Sequence, residues 1–293
     1  MSKELDELVQ QLELERIEVD LFRGRSQDLG WGQVFGGQVL GQALSAAAQT
    51  VDADRLPHSL HAYFLRPGDV ENPIVYHVDR IRDGGSFTTR RVVAVQHGKP
   101  IFHLSSSFHV QEPGFEHQQD APEAPGPETL TSDLDRFRAI ADRLPSGIRE
   151  RATTAGPFEF RQVDPVDDPF APAAMPPSHA YWIRARGQLI ASPPLHRILL
   201  TYLSDFSFMT TALRPHGVTW LTPCMQSASL DHAMWFHRTP RVDEWLLYAI
   251  DSPAAQGARG LVRGSIYDQS GQLIASTAQE GLIRQRHAKG STP

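Results

Sequence analysis

Phe35-Gly36-Gly37-Gln38-Val39-Leu40-Gly41-Gln42-Ala43-Leu44-Ser45-Ala46-Ala47-Ala48 reads as a helix beginning near Phe35, and this helix with the strands after it decides the fold. Glycine inside a helix costs about 1 kcal/mol against alanine. Gly36, Gly37 and Gly41 therefore imply close approach of this helix to a neighbour, which is expected to be a sheet. Four strand-like runs come next. Ser59–Leu65 is closed by Arg66-Pro67-Gly68, and Ile74–Arg82 by Asp83-Gly84-Gly85. Ser86–Gln96 is closed by His97-Gly98, and Ile101–Val110 comes after it. β-Branched and aromatic runs punctuated by turn residues predict an antiparallel meander. A long helix before a meander packs economically when the sheet curls around it and buries the apolar helix surface.

Working outward, Leu5, Leu8, Val9 and Leu12 fall at helical spacing and predict a short amphipathic helix over 3–14. Prolines 113, 122, 125 and 127, among many acids, mark a surface linker over 111–127. Thr131–Leu144 reads as a connecting helix, capped by Thr131, Ser132 or Asp133 and stopped by Pro145. A second proline-rich stretch, 165–177, leads to strand-like Ala180–Arg184. The remaining residues then repeat the order of the first hundred: a helix over His196–Leu213, then strands at 224–237, 245–251, 257–267 and 272–284. Leu65-Arg66 followed by proline recurs as His237-Arg238-Thr239-Pro240, and the turn glycine Gly98 recurs as Gly271. The two landmarks are displaced by 172 (238 − 66) and 173 (271 − 98) residues, a near-constant offset that points to duplication. Two copies joined along sheet edges cover strands that would otherwise invite aggregation. The expected fold is α+β, a double hotdog. Its first unit spans 1–115, a linker with a helix and a proline-rich stretch spans 116–190, and a second unit over 191–293 carries the chemistry.

Composition narrows the function. Hydrophobic residues at 40% and charged residues at 21% suit a globular core. The 28 basic and 34 acidic residues leave a net charge of −6, against a nucleic-acid partner, which needs basic residues to neutralise phosphates. A single cysteine, Cys224, excludes an internal disulfide and a cysteine-held zinc or iron–sulfur site. The acidic start of the chain lacks the basic and apolar pattern of a secretory signal, and no run reaches the 18 apolar residues of a spanning helix. Gly290-Ser291-Thr292-Pro293 is neither a peroxisomal address nor a prenylation box. A soluble, cytoplasmic protein with no membrane partner is expected.

Several chemistries are missing from the sequence. The Gly-x-Ser-x-Gly string of α/β serine hydrolases does not occur. Gly36 to Gly41 has the glycine spacing of a phosphate loop, but Gln42 stands where lysine is required. Gly30-Trp31-Gly32 and Gly36 follow polar Arg25–Asp28 rather than a strand, which argues against a dinucleotide fingerprint. His58 and His61, and His232 and His237, lie at odd spacings that on a strand point to opposite faces, so neither pair is a natural chelate. No metal is expected.

Three polar residues stand in apolar surroundings. Asp205 follows Ile198, Leu199, Leu200, Tyr202 and Leu203 and precedes Phe206, Phe208 and Met209. A helix apolar nearly all round is enclosed by other structure, and a carboxylate there is costly unless paired or useful; a helix cap or exposed turn near Ser204 is the alternative. Gln279 lies on a strand of small and apolar residues, on the face of Ala275 and Thr277. Its amide can donate and accept at once, as holding a water or a carbonyl oxygen requires, although a surface-facing glutamine fits as well. Ser229, with Asp231 on its own face, is by itself an ordinary strand serine. At the 173-residue offset Gln279 corresponds to Ser106, so the second unit is the expected carrier of the chemistry.

The sequence resembles the acyl-CoA thioesterase II, or TesB-type, family across nearly its whole length, least over 111–180. The resemblance lies in Val34-Phe35-Gly36-Gly37-Gln38-Val39-Leu40-Gly41-Gln42-Ala43-Leu44, in His58-Ser59-Leu60-His61-Ala62-Tyr63-Phe64-Leu65-Arg66-Pro67-Gly68-Asp69 and in Gly98-Lys99-Pro100-Ile101-Phe102. Asp231-His232-Ala233-Met234-Trp235-Phe236-His237-Arg238 and Ala275-Ser276-Thr277-Ala278-Gln279-Glu280-Gly281 carry it in the second half. It implies a double hotdog that hydrolyses acyl-CoA to free fatty acid and CoA without a cofactor, as a homodimer or homotetramer. It also implies a catalytic group of Asp205, Ser229 and Gln279, with serine standing where bacterial relatives often have threonine. Under it Asp205 acts as general base or orients the water, Ser229 and Gln279 complete the hydrogen bonds, and backbone N–H groups near a helix amino terminus meet the oxyanion. An acyl tunnel beside the helix is expected at Phe206, Phe208 and Met209. Arg90, Arg91, Arg259 and Arg263 are candidates for CoA phosphates, with ordinary salt bridges as the alternative. The rival functions are a hydratase or dehydratase built on Asp231-His232 and a non-catalytic acyl-CoA-binding module.

Overall fold

The computed structural model describes residues 2–189 and 193–286; the chain end at 290–293 lies outside the described residues. The chain opens with α1 (Lys3–Leu12), whose first turn is capped by the Ser2 hydroxyl accepting from the Leu5 amide, and which buries Leu5, Leu8 and Leu12. A hairpin of β1 (Glu15–Glu18) and β2 (Leu21–Gly24) comes after it; strands of four residues are too short to show a periodic pattern in the sequence. Next come α2 (Gly36–Ala48) and the expected meander of β3 (Arg55–Phe64), β4 (Ile74–Asp83), β5 (Phe87–Gln96) and β6 (Lys99–Val110).

The middle departs from expectation. The single connecting helix is split into α3 (Asp133–Ala139), capped by Ser132, a 3₁₀ turn over Ala141–Arg143 and α4 (Ser146–Thr153). Leu144 is extended, as a residue before proline must be, so Pro145 ends one helix and opens another. The segment read as linker also supplies β7 (Phe158–Gln162) and β8 (Ser178–Ala185) to the sheet of the second half. The second unit continues with α5 (Pro193–Ser204), α6 (Thr210–Leu213), β9 (Met225–Ser229), β10 (Asp231–Phe236), β11 (Leu246–Gln256), β12 (Arg259–Asp268) and β13 (Leu273–Gln285). The expected helix over His196–Leu213 thus stops at Ser204, and the expected strand over 224–237 is interrupted at Leu230.

Among the described residues the strands form one antiparallel sheet in the order β1-β2-β4-β5-β6-β3-β10-β13-β12-β11-β8-β7, with β9 also on β13. β3 and β10 join the two halves, from Asp231 opposite Tyr63 to Trp235 opposite Ser59. The repeat predicted from residue spacing recurs as a repeated set of hydrogen bonds. The Leu65 and Arg66 amides both donate to the Ile101 carbonyl, and those of His237 and Arg238 to the Ile274 carbonyl. The Arg66 guanidinium donates to the Pro100 carbonyl, and that of Arg238 to the Leu273 carbonyl. Each half-sheet curls over one central helix, which is the double hotdog.

The two central helices pack on one another. Gly37 to Ala47 of α2 and His196 to Ser204 of α5 are buried throughout. A side chain at Gly37 would run into the Tyr202 carbonyl oxygen, and one at Gly41 would crowd Leu12 and reach 3.5 Å from the Ile198 carbonyl oxygen. Gly37 therefore serves the approach of α2 to α5, and Gly41 makes room for Leu12 of α1, where a sheet was expected. With two hotdogs in one chain the helices meet at the centre, and a missing Cβ lets their backbones close.

Gly37→Ala is expected to destabilise the fold by about 1–3 kcal/mol through overpacking at this crossing. Urea unfolding should show a lower midpoint at an unchanged slope.

Candidate active site

α5 ends in a turn that is held from several sides. Tyr248 donates its hydroxyl to the Ser204 carbonyl and Tyr181 donates to the Phe206 carbonyl, while the Phe206 amide donates to the Leu203 carbonyl. Ser207 sits at φ +54°, a left-handed conformation disfavoured for a side chain with a Cβ, and it turns Phe208 back into the core. Asp205 is thus carried on a braced turn after the helix, not inside it. Its Oδ2 points at the amino terminus of α2, where a Cβ on Gly36 would lie 2.6 Å away. Glycine at position 36 leaves room for the carboxylate.

Ser229 and Gln279 meet Asp205 from the sheet. The Ser229 hydroxyl donates to Asp205 Oδ1 at 3.3 Å, and Gln279 Nε2 donates to Ser229 Oγ at 2.7 Å. The three residues that the sequence singled out come together. How Ser229 arrives differs from the sequence reading, which placed it on a face with Asp231. Ser229 stands opposite Gly281 on β13, whereas Ala233 stands opposite Ala278. The register slips by one residue between them, leaving Leu230 and Asp231 both opposite Glu280. Such a bulge reverses side-chain alternation. Ser229 and His232, three apart in sequence, both face inward beside Gln279, while Asp231 turns to accept the Glu280 amide at 2.6 Å.

His232 is the residue that sequence reasoning undervalued. Its Nδ1 lies 2.5 Å from Gln279 Oε1 and its Nε2 2.9 Å from Ser204 Oγ. Burial pushes its pKa down to about 4, against a smaller opposing effect from Gln279, so the ring is neutral. The available signal was the duplication, because the matching pair in the first half is Leu60 opposite Ser106. Asp231 and His232 engage different partners, which removes the acid–histidine pair that the hydratase reading requires.

Part of Asp205 remains reachable by water, yet protein surrounds its carboxylate. Desolvation pushes its pKa up to about 7, against hydrogen bonding from Gln279, Ser229 and the Gly37 backbone N–H. Phe206 packs 4.3 Å from the Phe35 ring centroid, and Phe208 lies on Tyr248 and against His232. Met209 fills the space over Gly260 and Gly281. None of these three side chains lines the cavity of about 390 Å³ beside the turn, whose walls include Phe137, Phe160, Tyr181, Ser207, Val218 and Trp220. Phe208 is buried in the core, and Phe206 and Met209 are half-buried against it. Arg90 is buried on Thr50 and Asp83, while Arg91, Arg259 and Arg263 pair with Asp79, Glu280 and Asp251. Arg91, Arg259 and Arg263 thus form surface salt bridges, whereas Arg90 is a buried arginine of the first half. His58 and His237 bond to Ser107 and Ser276, and His61 packs on Trp235. Among the described residues no helix is long and apolar enough to cross a membrane.

A family model described as acyl-CoA thioesterase matches residues 151–282, and one described as acyl-CoA thioesterase N-terminal domain matches residues 26–109. The chain is 44% identical over 284 residues to acyl-CoA thioesterase 2 of Haemophilus influenzae, covering 97% of this chain and 99% of that protein. It is 42% identical over 282 residues to human acyl-coenzyme A thioesterase 8, covering 93% of this chain and 87% of that protein. The crystal structure of acyl-CoA thioesterase II TesB2 from Mycobacterium marinum superposes with a TM-score of 0.77 at 40% identity, covering 95% of this chain and 98% of that one. A hot dog protein from Alicyclobacillus acidocaldarius superposes at 0.76 with 15% identity, covering 96% and 99% of the two chains, which shows the fold alone.

Because the folded carboxyl of Asp205 holds its proton more tightly than an unfolded one, its contribution to stability is present below pH 4 and is lost as pH rises through about 7. Asp205→Asn should therefore raise the melting temperature at pH 8, with the gain shrinking toward pH 5. Thermal scans across that range check the sign.

Proposed function

The chain belongs to the acyl-CoA thioesterase family and is a thioester hydrolase; we propose that Asp205, braced by Ser229 and Gln279, activates the water that cleaves acyl-CoA to a free fatty acid and CoA. The observation that carries this reading is the direct chain from Gln279 through Ser229 to a desolvated carboxylate facing a helix amino terminus. Water adds its oxygen to the thioester carbonyl carbon while Asp205 takes the water proton. The tetrahedral intermediate then collapses, the carbon–sulfur bond breaks, and the proton held by Asp205 passes to the departing CoA sulfur. A pKa near 7 suits both transfers at neutral pH.

Phe35 gives α2 no side-chain cap, and the Gly37 N–H is engaged by Asp205; the Gly36 N–H beside it is the proposed oxyanion donor. The acyl portion is assigned to the cavity bordered by Phe160, Tyr181 and Ser207. In this reading the second unit supplies acid, hydroxyl and amide, and the first supplies the amino terminus of α2. The enzyme works in the cytoplasm, where a single exposed thiol, Cys224, suits a reducing compartment. It assembles as a homodimer or homotetramer, for which the exposed Tyr63, Leu65 and Trp235 offer an apolar surface.

Asp205→Asn is expected to lower kcat on a long-chain acyl-CoA by roughly 10²–10⁴, the usual share of general acid–base catalysis. In the unmodified enzyme kcat/KM should rise with pH and level off above about 7, since the base must be ionised. Thiol-release assays across pH test both, and near-normal turnover of the variant would remove Asp205 from the role. Mass spectrometry after rapid quench should find no acyl group on Ser229; a trapped ester there would replace water attack by serine attack.

A further inference from the structure

We propose that His232 is a positioning residue for thioester hydrolysis: its Nδ1–H holds Gln279 Oε1, turning Gln279 Nε2 to Ser229 and thereby the Ser229 proton to Asp205. This role rests on those proposed for Asp205, Ser229 and Gln279.

Donor direction assigns it. Ser204, His232, Gln279, Ser229 and Asp205 form an unbroken row of contacts at 2.9, 2.5, 2.7 and 3.3 Å. Each of the three middle residues can donate on one side only if it accepts on the other. An ionised Asp205 only accepts, so Ser229 must spend its proton there and accept from Gln279. Gln279 must then present its amide NH₂ to Ser229 and its carbonyl oxygen to His232. A carbonyl oxygen only accepts, so His232 must carry its proton on Nδ1. Nε2 is then the acceptor for the Ser204 hydroxyl, which lies 2.9 Å away.

The opposite direction is also available to this row. Ser204 Oγ lies 2.9 Å from the Thr201 carbonyl oxygen as well. If Ser204 donates there, the His232 proton moves to Nε2, the Gln279 amide turns over, and the Ser229 proton points to Gln279. Ser229 can then only accept from a protonated Asp205. Histidine is the side chain that serves both directions, because its neutral ring donates at either nitrogen while accepting at the other. Burial that keeps the ring neutral preserves this property. The same register position in the first half holds Leu60 opposite Ser106, whose hydroxyl donates to the Ser59 carbonyl instead.

The test compares His232→Leu, His232→Asn and His232→Gln with the unmodified full-length enzyme, and adds Gln279→Ala and its double variant with His232→Leu. Asparagine places an amide donor near Nδ1, and glutamine places one near Nε2. His232→Leu should lower kcat about 10- to 100-fold, as loss of an orienting outer partner does, with KM nearly unchanged. His232→Asn should recover most of that loss and His232→Gln little of it. In the Gln279→Ala background, His232→Leu should produce no further fall in kcat. Unchanged kcat in His232→Leu, equal activity of the asparagine and glutamine variants, or losses that multiply in the double variant would each overturn the proposal. If the leucine variant does not fold, the asparagine–glutamine difference decides it. Full kcat in Gln279→Ala would overturn the assignment of the site itself, whereas a low kcat there beside an unaffected His232→Leu overturns the role of His232 alone.

Discussion

A carboxylate withdrawn from water must be met by hydrogen-bond donors, and the structure depends on how Asp205 finds them. Its donors come from three separate places: the Ser229 hydroxyl on β9, the Gln279 amide on β13 and the backbone N–H of Gly37 on α2. Each alone is modest. Together they leave the group poised near neutrality, because burial raises its pKa further than these bonds pull it back.

Bringing those elements together uses two local irregularities. The register slip at Leu230 and Asp231 turns Ser229 onto the face that holds Gln279 and His232. The left-handed Ser207 closes a turn that two tyrosine hydroxyls brace, which carries Asp205 away from the axis of α5 and toward α2. Bulges and strained turns are costly in isolation and survive where surrounding packing over-determines them. Here that packing is the fully buried pair of central helices, closed by glycine at their crossing.

The two halves share a frame and differ in what fills it. Both halves keep the hydrogen bonds of arginine to the neighbouring strand, Arg66 to Pro100 and Arg238 to Leu273. At the matching register position one half has Leu60 with Ser106 and the other His232 with Gln279. The first pair is closed by a bond to its own sheet, whereas the second extends to Ser229 and Asp205. Keeping the frame in both halves left the interior of one free to acquire a row of directional hydrogen bonds.

Much of this was legible in the residues alone. Periodicity and turn residues placed α2 and the meander after it, and the near-constant offset between Arg66 and Arg238 and between Gly98 and Gly271 disclosed the repeat, because local patterns report what a segment buries. Asp205 and Gln279 stood out as polar groups in apolar surroundings; resemblance to a family, rather than any spacing, joined Ser229 to them. Only the tertiary structure decided where α5 ends, that Gly37 faces a helix, that β7 and β8 belong to the sheet, and that Ser229 shares a face with His232. Each of these is set by contacts between segments far apart in the chain, and a one-residue slip in pairing leaves no trace in the alternation of either strand taken alone.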